Sequence, residues 1–572
     1  MRIFRFRIFG QTVPKSPEPP IRAELFSVER LEQHAASLAA AQRVVAKAGS
    51  GISLAPRLED NTKVLIDTYR AVVRASRARR PGTPAEDWLL DNFHVVDEQI
   101  REIKDDLPPG YYRLLPKLAD GPLRGYPRVF GLAWALIAHT DSAFDIQKLT
   151  RFVEAYQRVQ PLTIGELWAI AITLRITLVE NLRRLAEQMA ARLSAGEFAD
   201  SLADRVLGST HRDPEAMADI LPDLERVPWS TAFAVQLSQR LRDRDPDATP
   251  ALRWLNDRLA AEGTTTDEIV LEEVQRQSAM NVTVRNVITS MRLVSTANWA
   301  EFVESVGPVD AVLRAGSDFA AMDFSTRDLY RRALEELARG SGREEVEVAR
   351  RALARASRAA DAESRERDPG FYLIAAGRPA FEKELGCRVP LRTRIFRLNS
   401  NLGIASYVGL IAIATAIVLA LALLAVAHAG AGGWTLVLLA VVGAIPASDI
   451  AVAVVNRAIT QNLGATLMPA LELREGVPAQ MRTIIVVPSL LANPSAIQQQ
   501  IERLEVHHLS NPDSNFVFAL LSDWHDSATE HADDDAALLE EAAAGIARLN
   551  EQYGPTDSGS RFFLLHRRRL WN

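Results

Sequence analysis

Between Arg397 and Asp449 the chain has no Asp, Glu, Lys or Arg, and a single His, His428. Few environments accept so long an uncharged stretch, and its internal punctuation narrows them further. The run "GIASYVGLIAIATAIVLALALLAVA" (403–427) is long enough to cross a bilayer. About 20 apolar helical residues suffice, because each rises about 1.5 Å against a hydrocarbon core of about 30 Å. The segment "HAGAGG" breaks the run, and "WTLVLLAVVGAIPASDIAVAVV" (434–455) follows with Pro446 and Asp449 near its end. Two spans joined by a tight hairpin are expected over 402–456.

The flanking charges orient this hairpin. Arg392, Arg394 and Arg397 precede the first span and Arg457 follows the second, while the connecting turn carries none. The positive-inside rule then puts both long flanks, and both termini, in the cytoplasm. Trp434 suits the opposite interface. Asp449 has two readings. It lies where a Pro446 kink lets the helix leave the hydrocarbon, or it shapes a polar passage as an intramembrane acid.

At 572 residues the chain is too long for one core, and three or four structural units are expected. A formal net charge of -6 gives no global argument for nucleic acid or anionic lipid. Cys387 is the only cysteine, so neither an intramolecular disulfide nor a Cys-based zinc site is available. The N-terminal arm, 1–23, alternates basic and apolar residues without a continuous apolar core. It reads as an arm or edge strand rather than a secretory signal.

Residues 24–397 have a helical pattern almost throughout. "VERLEQHAASLAAAQRVVAKAG" predicts a helix ending at Gly49. Thr163 predicts a cap for "IGELWAIAITLRITLVENLRRLAEQMAARL", whose apolar spacing is helical and whose charges exclude a third span. "STRDLYRRALEELARGSGREEVEVARRALARASRAADAESRERD" predicts two charged helices divided at "GSG", with most charges on a solvated face. "EDWLLDNFHVVDEQIREIKDDLPPGYYRLLPKL" places Trp88, Phe93 and Val96 on one side of a helix that stops at Pro108-Pro109-Gly110. With "GYPRVF" it reads as a specifically packed junction. His94 and His139 lie outside any metal-binding spacing and read as structural.

After a linker over 457–480 the period changes. "TIIVVPS" predicts a fully buried strand. A helix follows with Asn493 as N-cap and Pro494 at its first position. Then come the strand "NFVFALLSD", an acidic helix from about Asp533 to Tyr553, and the strand "RFFLLHRR". This order opens a parallel α/β sheet, over 481–572, and such sheets bind ligands beyond the carboxyl ends of their strands. Pro488, Ser489 and Asp523 stand at those ends as nucleotide-contact candidates. Asp533 to Asp535 carry an Asp-x-Asp spacing but lie at a helix start, where acids favour the helix dipole. His507 and His508 face different sides of their helix. Arg567 to Arg569 either face a pyrophosphate or form a solvated basic strand end.

Several stretches together resemble the N-terminal part of the bacterial cyclic β-1,2-glucan synthases. They are "LEDNTKVLIDTYRAV", the segment from Glu86 to Leu118, "GYPRVFGLAWALIAHTDSAFD" and "MDFSTRDLYRRALEELA". "TIIVVPSLL", "FALLSDWHDS" and "FFLLHRRRLWN" complete the likeness, which runs through nearly the whole chain. The resemblance implies a multi-pass enzyme of the bacterial inner membrane that uses UDP-glucose to build a β-1,2-glucan, attached to the protein and then released as a ring. The implied fold is mainly α: a long helical cytoplasmic region, two transmembrane helices, and the first strands and helices of an α/β glycosyltransferase A-type domain.

The implied partners are UDP-glucose, the growing glucan and the lipid bilayer, with no nucleic acid. By position only Pro488, Ser489 and Asp523 carry over. The family's divalent metal (Mg or Mn), its ligands and its catalytic base are expected beyond Asn572, so no catalytic or metal-binding residue is assigned here. Tyr553 is one guess for the hydroxyl that holds the glucan. On this reading the isolated chain binds UDP-glucose weakly and turns nothing over. The alternative is a membrane-anchored helical scaffold or regulator without chemistry.

Overall fold

The computed structural model describes residues 7–8, 11–12, 18–45, 51–106, 109–209, 230–242, 249–359, 365–390, 393–394, 397, 403–462, 468–527, 529–556 and 559–570. They fall into two units, Met1–Ser317 with Tyr330–Gly403, and Asp318–Leu329 with Ile404–Asn572.

The first unit is helical. The helices used below are α1 (Ala55–Arg77), α2 (Pro84–Asp91), α3 (Arg128–His139), α4 (Ile164–Ser209), α5 (Thr231–Arg242) and α6 (Thr266–Thr296). Two more, α7 (Phe324–Ser341) and α8 (Glu345–Ala356), form the charged pair.

Helix α4 is the axis of this unit, and α1, α3, α5 and α6 all pack on it. Thr163 caps it as predicted: its hydroxyl accepts from the Glu166 N–H at 3.2 Å, and Glu166 accepts from the Thr163 N–H at 3.0 Å. Leu167, Ile170, Leu174, Leu178, Leu182, Leu185 and Met189 are all buried, as their three-to-four spacing requires. Several of its charges are inside as well, Glu166, Glu180 and Arg183 among them, and these are matched. Glu180, fully buried, accepts from Arg57 at 2.7 and 2.9 Å, Asn61 at 2.9 Å, Arg183 at 2.9 Å and Arg184 at 3.0 Å. Burial alone would raise its carboxyl pKa, but the Arg57 and Arg183 guanidinium groups hold it well below the usual carboxylate range.

The junction segment packs as its aromatic density suggests, with details of its own. It is two helices, α2 and Phe93–Asp106, divided at Asn92, followed by a short helix Pro109–Leu114. Lys117–Leu118 pairs with Val44–Val45 in a two-residue antiparallel ladder. The helix Val28–Ala41 therefore stops before this ladder and not at Gly49. β-branched residues after Gln42 favour the extended backbone that the ladder requires. Arg128 is buried against Glu166 at 2.5 and 2.8 Å. His139 stacks on Phe26 at 3.9 Å and contacts the Glu24 carbonyl at 2.8 Å, a structural role, and His94 is exposed.

The charged helices divide at Gly342, which has φ 70°. Not every charge there is solvated. Arg331 is 1% exposed and held by Asp310 at 2.6 and 3.0 Å and by Glu304 at 2.9 Å.

In the second unit, α9 (Ile404–His428) and α10 (Trp434–Asn462) are long and apolar enough to cross a membrane. They pack as a hairpin whose turn uses positive-φ Gly430 and Gly433. The Tyr407 hydroxyl donates to Asn456 at 2.7 Å, tying the ends nearest the arginines. Helix α10 runs through Pro446 to Asn462, so Asp449 is exposed on an unbroken helix rather than beyond a break. Within the stretch read as a linker, 470–472 lies against 321–323. Met322 and Leu471 form a β-bridge, and Arg327, also buried, pairs with Glu472 at 3.2 Å.

Strands β1 (Thr483–Leu491), β2 (Phe516–Trp524) and β3 (Phe562–His566) form a parallel sheet in that order. Helices α11 (Pro494–Ser510) and α12 (Asp535–Tyr553) cover one face, where Phe518, Leu520 and Phe562 are buried with Ile497, Ile501 and Leu504. Asn493 caps α11, accepting from the Ala496 N–H at 2.8 Å, and Pro494 takes the first helical position.

The expectation that Thr483–Ser489 is fully buried is incorrect. β1 is an edge strand, and alternate residues of it (Ile484, Val486 and Leu490) are exposed, as are Leu521, Phe563 and Leu565 on the same sheet. An apolar residue on both faces of a strand hides the period-2 signal that would have shown which face is covered.

Candidate functional site

Parallel pairing sets the site. Ser489 stands opposite Ser522, Leu490 opposite Asp523, and Ser522 opposite His566, so the carboxyl ends of all three strands align. Pro488 is tolerated near the end of β1 because an edge strand can spare one donor. The result is an open crevice of about 350 Å³, lined by Pro488, Ser489, Leu490, Leu521, Ser522, Asp523 and Arg567. All three sequence-predicted contact residues lie in it.

Asp523 supplies the negative charge. One carboxylate oxygen accepts from the Trp524 N–H at 2.9 Å, and the other lies 3.6 Å from the Arg567 guanidinium. Both partners are substantially exposed, at 40% and 72%, so their attraction is worth at most about 1 kcal/mol and yields readily to a ligand. Ser489 has only a 3.5 Å contact to the Leu490 carbonyl, which leaves its hydroxyl open to the crevice. Ser522, buried beneath, is 2.9 Å from His566 Nδ1. His566 also meets the Trp524 ring at 4.3 Å, and burial lowers its pKa.

The basic run divides its labour. Arg567 faces the crevice, with its backbone N–H donating to the Ser522 carbonyl at 2.9 Å. Arg568 pairs with Glu530 at 2.6 Å. Arg569 is nearly buried, bonds both oxygens of Asp535 at 2.6 and 3.0 Å, and donates to the carbonyls of His525 and Glu530 at 2.9 and 3.0 Å. It thereby fixes the chain leaving β2 against the start of α12. Sequence alone does not divide Arg567 from its neighbours. Counting one residue past each strand end would have separated it.

The acidic triplet behaves as a helix start. Asp534 is the N-cap, and Asp535 accepts from the Ala532 N–H at 2.8 Å, with Arg569 first among the causes that lower its pKa. Its carboxylate is committed to that arginine. Among the described residues no group of three or more His, Cys, Asp or Glu side chains is placed to hold a metal ion. His508 is buried against Phe518, Tyr553 and Phe562, and His507 points elsewhere, so they are not a ligand pair. The Tyr553 hydroxyl donates to Glu505 at 2.6 Å.

A helical unit, a hairpin of two helices long and apolar enough to cross a membrane, and a small parallel α/β unit with a charged crevice at its strand ends define the class of chain this is. The chain is 36% identical, over 577 aligned positions covering 98% of it, to the cyclic beta-(1,2)-glucan synthase NdvB of Rhizobium meliloti (strain 1021). The resemblance to the cyclic glucan synthases thus holds along the chain's length. The match covers 20% of that relative, so the chain spans about a fifth of its length. No protein-family model matches the chain.

Proposed function

We propose that this chain is the membrane-anchoring and nucleotide-receiving part of a glucosyltransferase that builds β-1,2-glucan from UDP-glucose. The observation that carries the reading is the crevice. Pro488, Ser489, Asp523 and Arg567 converge at the aligned ends of adjacent parallel strands, in a chain similar throughout to part of a glucan synthase. Its sheet then begins an A-type glycosyltransferase fold, in which nucleotide binding at strand ends follows the general rule for open α/β sheets.

The residues suit the parts of a uridine diphosphate. The Asp523 carboxylate can accept from the uracil ring N–H or from ribose hydroxyls, and the Ser489 hydroxyl can donate or accept. Arg567 supplies the cation for the diphosphate. A ligand entering here exchanges the weak Asp523–Arg567 attraction for two charge-assisted contacts. Inverting transfer also needs a base to deprotonate the acceptor 2-hydroxyl, and we assign none in this chain. The crevice binds, and its isolated form is expected to turn nothing over. With both long flanks cytoplasmic, the crevice faces the compartment that holds nucleotide sugars.

The test is UDP binding by the chain in lipid nanodiscs, comparing Asp523→Ala with the parent. A loss of about tenfold supports the reading, the worth of one charged hydrogen bond. Unchanged binding would favour the scaffold instead.

A further inference from the structure

Helix α10 turns one line of small residues toward α9. Gly443, Ala447, Ala451 and Val455 recur every four residues; a side-chain carbon on Gly443 would touch Leu419, and the other three are buried. Asp449 lies two residues from both Ala447 and Ala451, which at about 100° per residue puts it on the opposite side of the helix. It is exposed there, with exposed Ile445 and Val442 one and two turns before it. Among the described residues it has no hydrogen-bond or ion-pair partner.

Depth makes that position costly. Trp434 at one end and the Tyr407–Asn456 hydrogen bond at the other mark two levels about 33 Å apart along α10, close to the thickness of a hydrocarbon core. Asp449 stands about 22 Å from the first level and about 10 Å from the second, too deep for so short a side chain to reach the headgroups. The hairpin has nothing to neutralise it. From 398 to 456 there is no Lys or Arg, and the one His, His428, ends the first span at the far side. Pro446, about one turn before Asp449, has no N–H to give the Val442 carbonyl. This face therefore presents acceptors to the bilayer, where lipid tails supply no hydrogen-bond donor.

We propose that this face of α10 docks a membrane-spanning helix from outside the hairpin that carries a Lys or Arg at the depth of Asp449. Intramembrane acids face a partner rather than lipid, and a basic side chain supplies both the opposite charge and the donors. A second copy of the hairpin does not meet the need, because at this depth it offers only another acid. The pairing rests on the hairpin spanning the bilayer, as in the function proposed above, and on nothing in the crevice.

The chain in lipid vesicles tests this, with Cys387→Ser and Gly432→Cys so that the turn carries a fluorescent donor. Synthetic leucine–alanine spanning helices carry the acceptor: one with a Lys at the matching depth, one with that Lys moved by two turns, and one with Leu in its place. Energy transfer should report association about tenfold tighter for the matched Lys helix than for the Leu helix, and Asp449→Leu should erase the difference. Asp449→Asn, which keeps the shape without the charge, should remove most of it. The pairing is refuted if the matched helix binds no better than the other two, if either variant keeps the parent's preference, or if the chain instead associates with itself through Asp449. Alkaline carbonate extraction separates the pairing from the spanning of the bilayer. A parent chain released from the vesicles contradicts both, whereas one that is retained and still indifferent to the Lys contradicts the pairing alone.

Discussion

Asp523 and Arg567 lie 3.6 Å apart at the neighbouring carboxyl ends of β2 and β3, farther than in a strong ion pair, and both side chains are open to solvent. A contact so exposed does little for stability. It does leave an anion and a cation side by side at a crevice mouth, where their separate roles can be measured. Arg567→Gln should weaken UDP binding by about tenfold while changing uridine binding by less than twofold, because only the diphosphate needs the cation. Added salt should weaken UDP binding to the parent more than to the variant. Calorimetric titration of both ligands at two salt concentrations checks this.

Glu180 gathers three arginines and an asparagine in the interior of the helical unit. Removing its charge leaves Arg57 without its carboxylate partner and Arg183 and Arg184 with only the more exposed Glu18 and Glu187. Glu180→Leu should destabilise that unit by about 3–5 kcal/mol, measured by chemical denaturation. Glu24→Gln, at an exposed pair with Arg30, should change stability by less than about 1 kcal/mol in the same assay.

Glu345 gives the helical unit a pH dependence. Its carboxylate accepts from the Ile164 N–H at the start of α4 at 2.8 Å, but burial outweighs that bond and raises its pKa to about 7. The folded state holds the proton more tightly than the unfolded chain does. The resulting stabilisation is complete below the ordinary glutamate range, near pH 4.5, and is lost as pH rises through about 7. Thermal unfolding should therefore show a midpoint that declines between those values, with a span of about 1–3 kcal/mol. Glu345→Gln should flatten this part of the profile.

The hairpin orientation is open to direct labelling. With Cys387 replaced by Ser, a cysteine at Gly432 in the turn should react with an impermeant thiol reagent from outside intact spheroplasts. A cysteine at Ser495, at the start of α11, should react only after lysis.

Much of the architecture is visible in the sequence because local signals there agree with the tertiary result. The Asn493-Pro494 pair marks the start of α11, Thr163 marks that of α4, and the uncharged run marks the hairpin. Less legible is whatever depends on partners far along the chain. Arg331 reads as one more surface charge until Asp310 and Glu304 surround it. Val44 and Val45 look like a helix continuing until Lys117–Leu118 pairs with them. Strand β1 looks buried because its alternate residues are all apolar, whichever face is covered. In the crevice, Pro488, Ser489 and Asp523 could be placed from strand ends alone, whereas Arg567 needed the register of β3 to distinguish it from Arg568 and Arg569.

The most direct measurement of the central claim is hydrogen–deuterium exchange of the chain in nanodiscs with and without UDP. The account predicts slowed exchange in peptides covering 488–491, 521–524 and 566–568, with the rest of the sheet unchanged and the effect lost in Asp523→Ala. Slowed exchange confined to the helical unit, or none at concentrations that saturate binding, would contradict it.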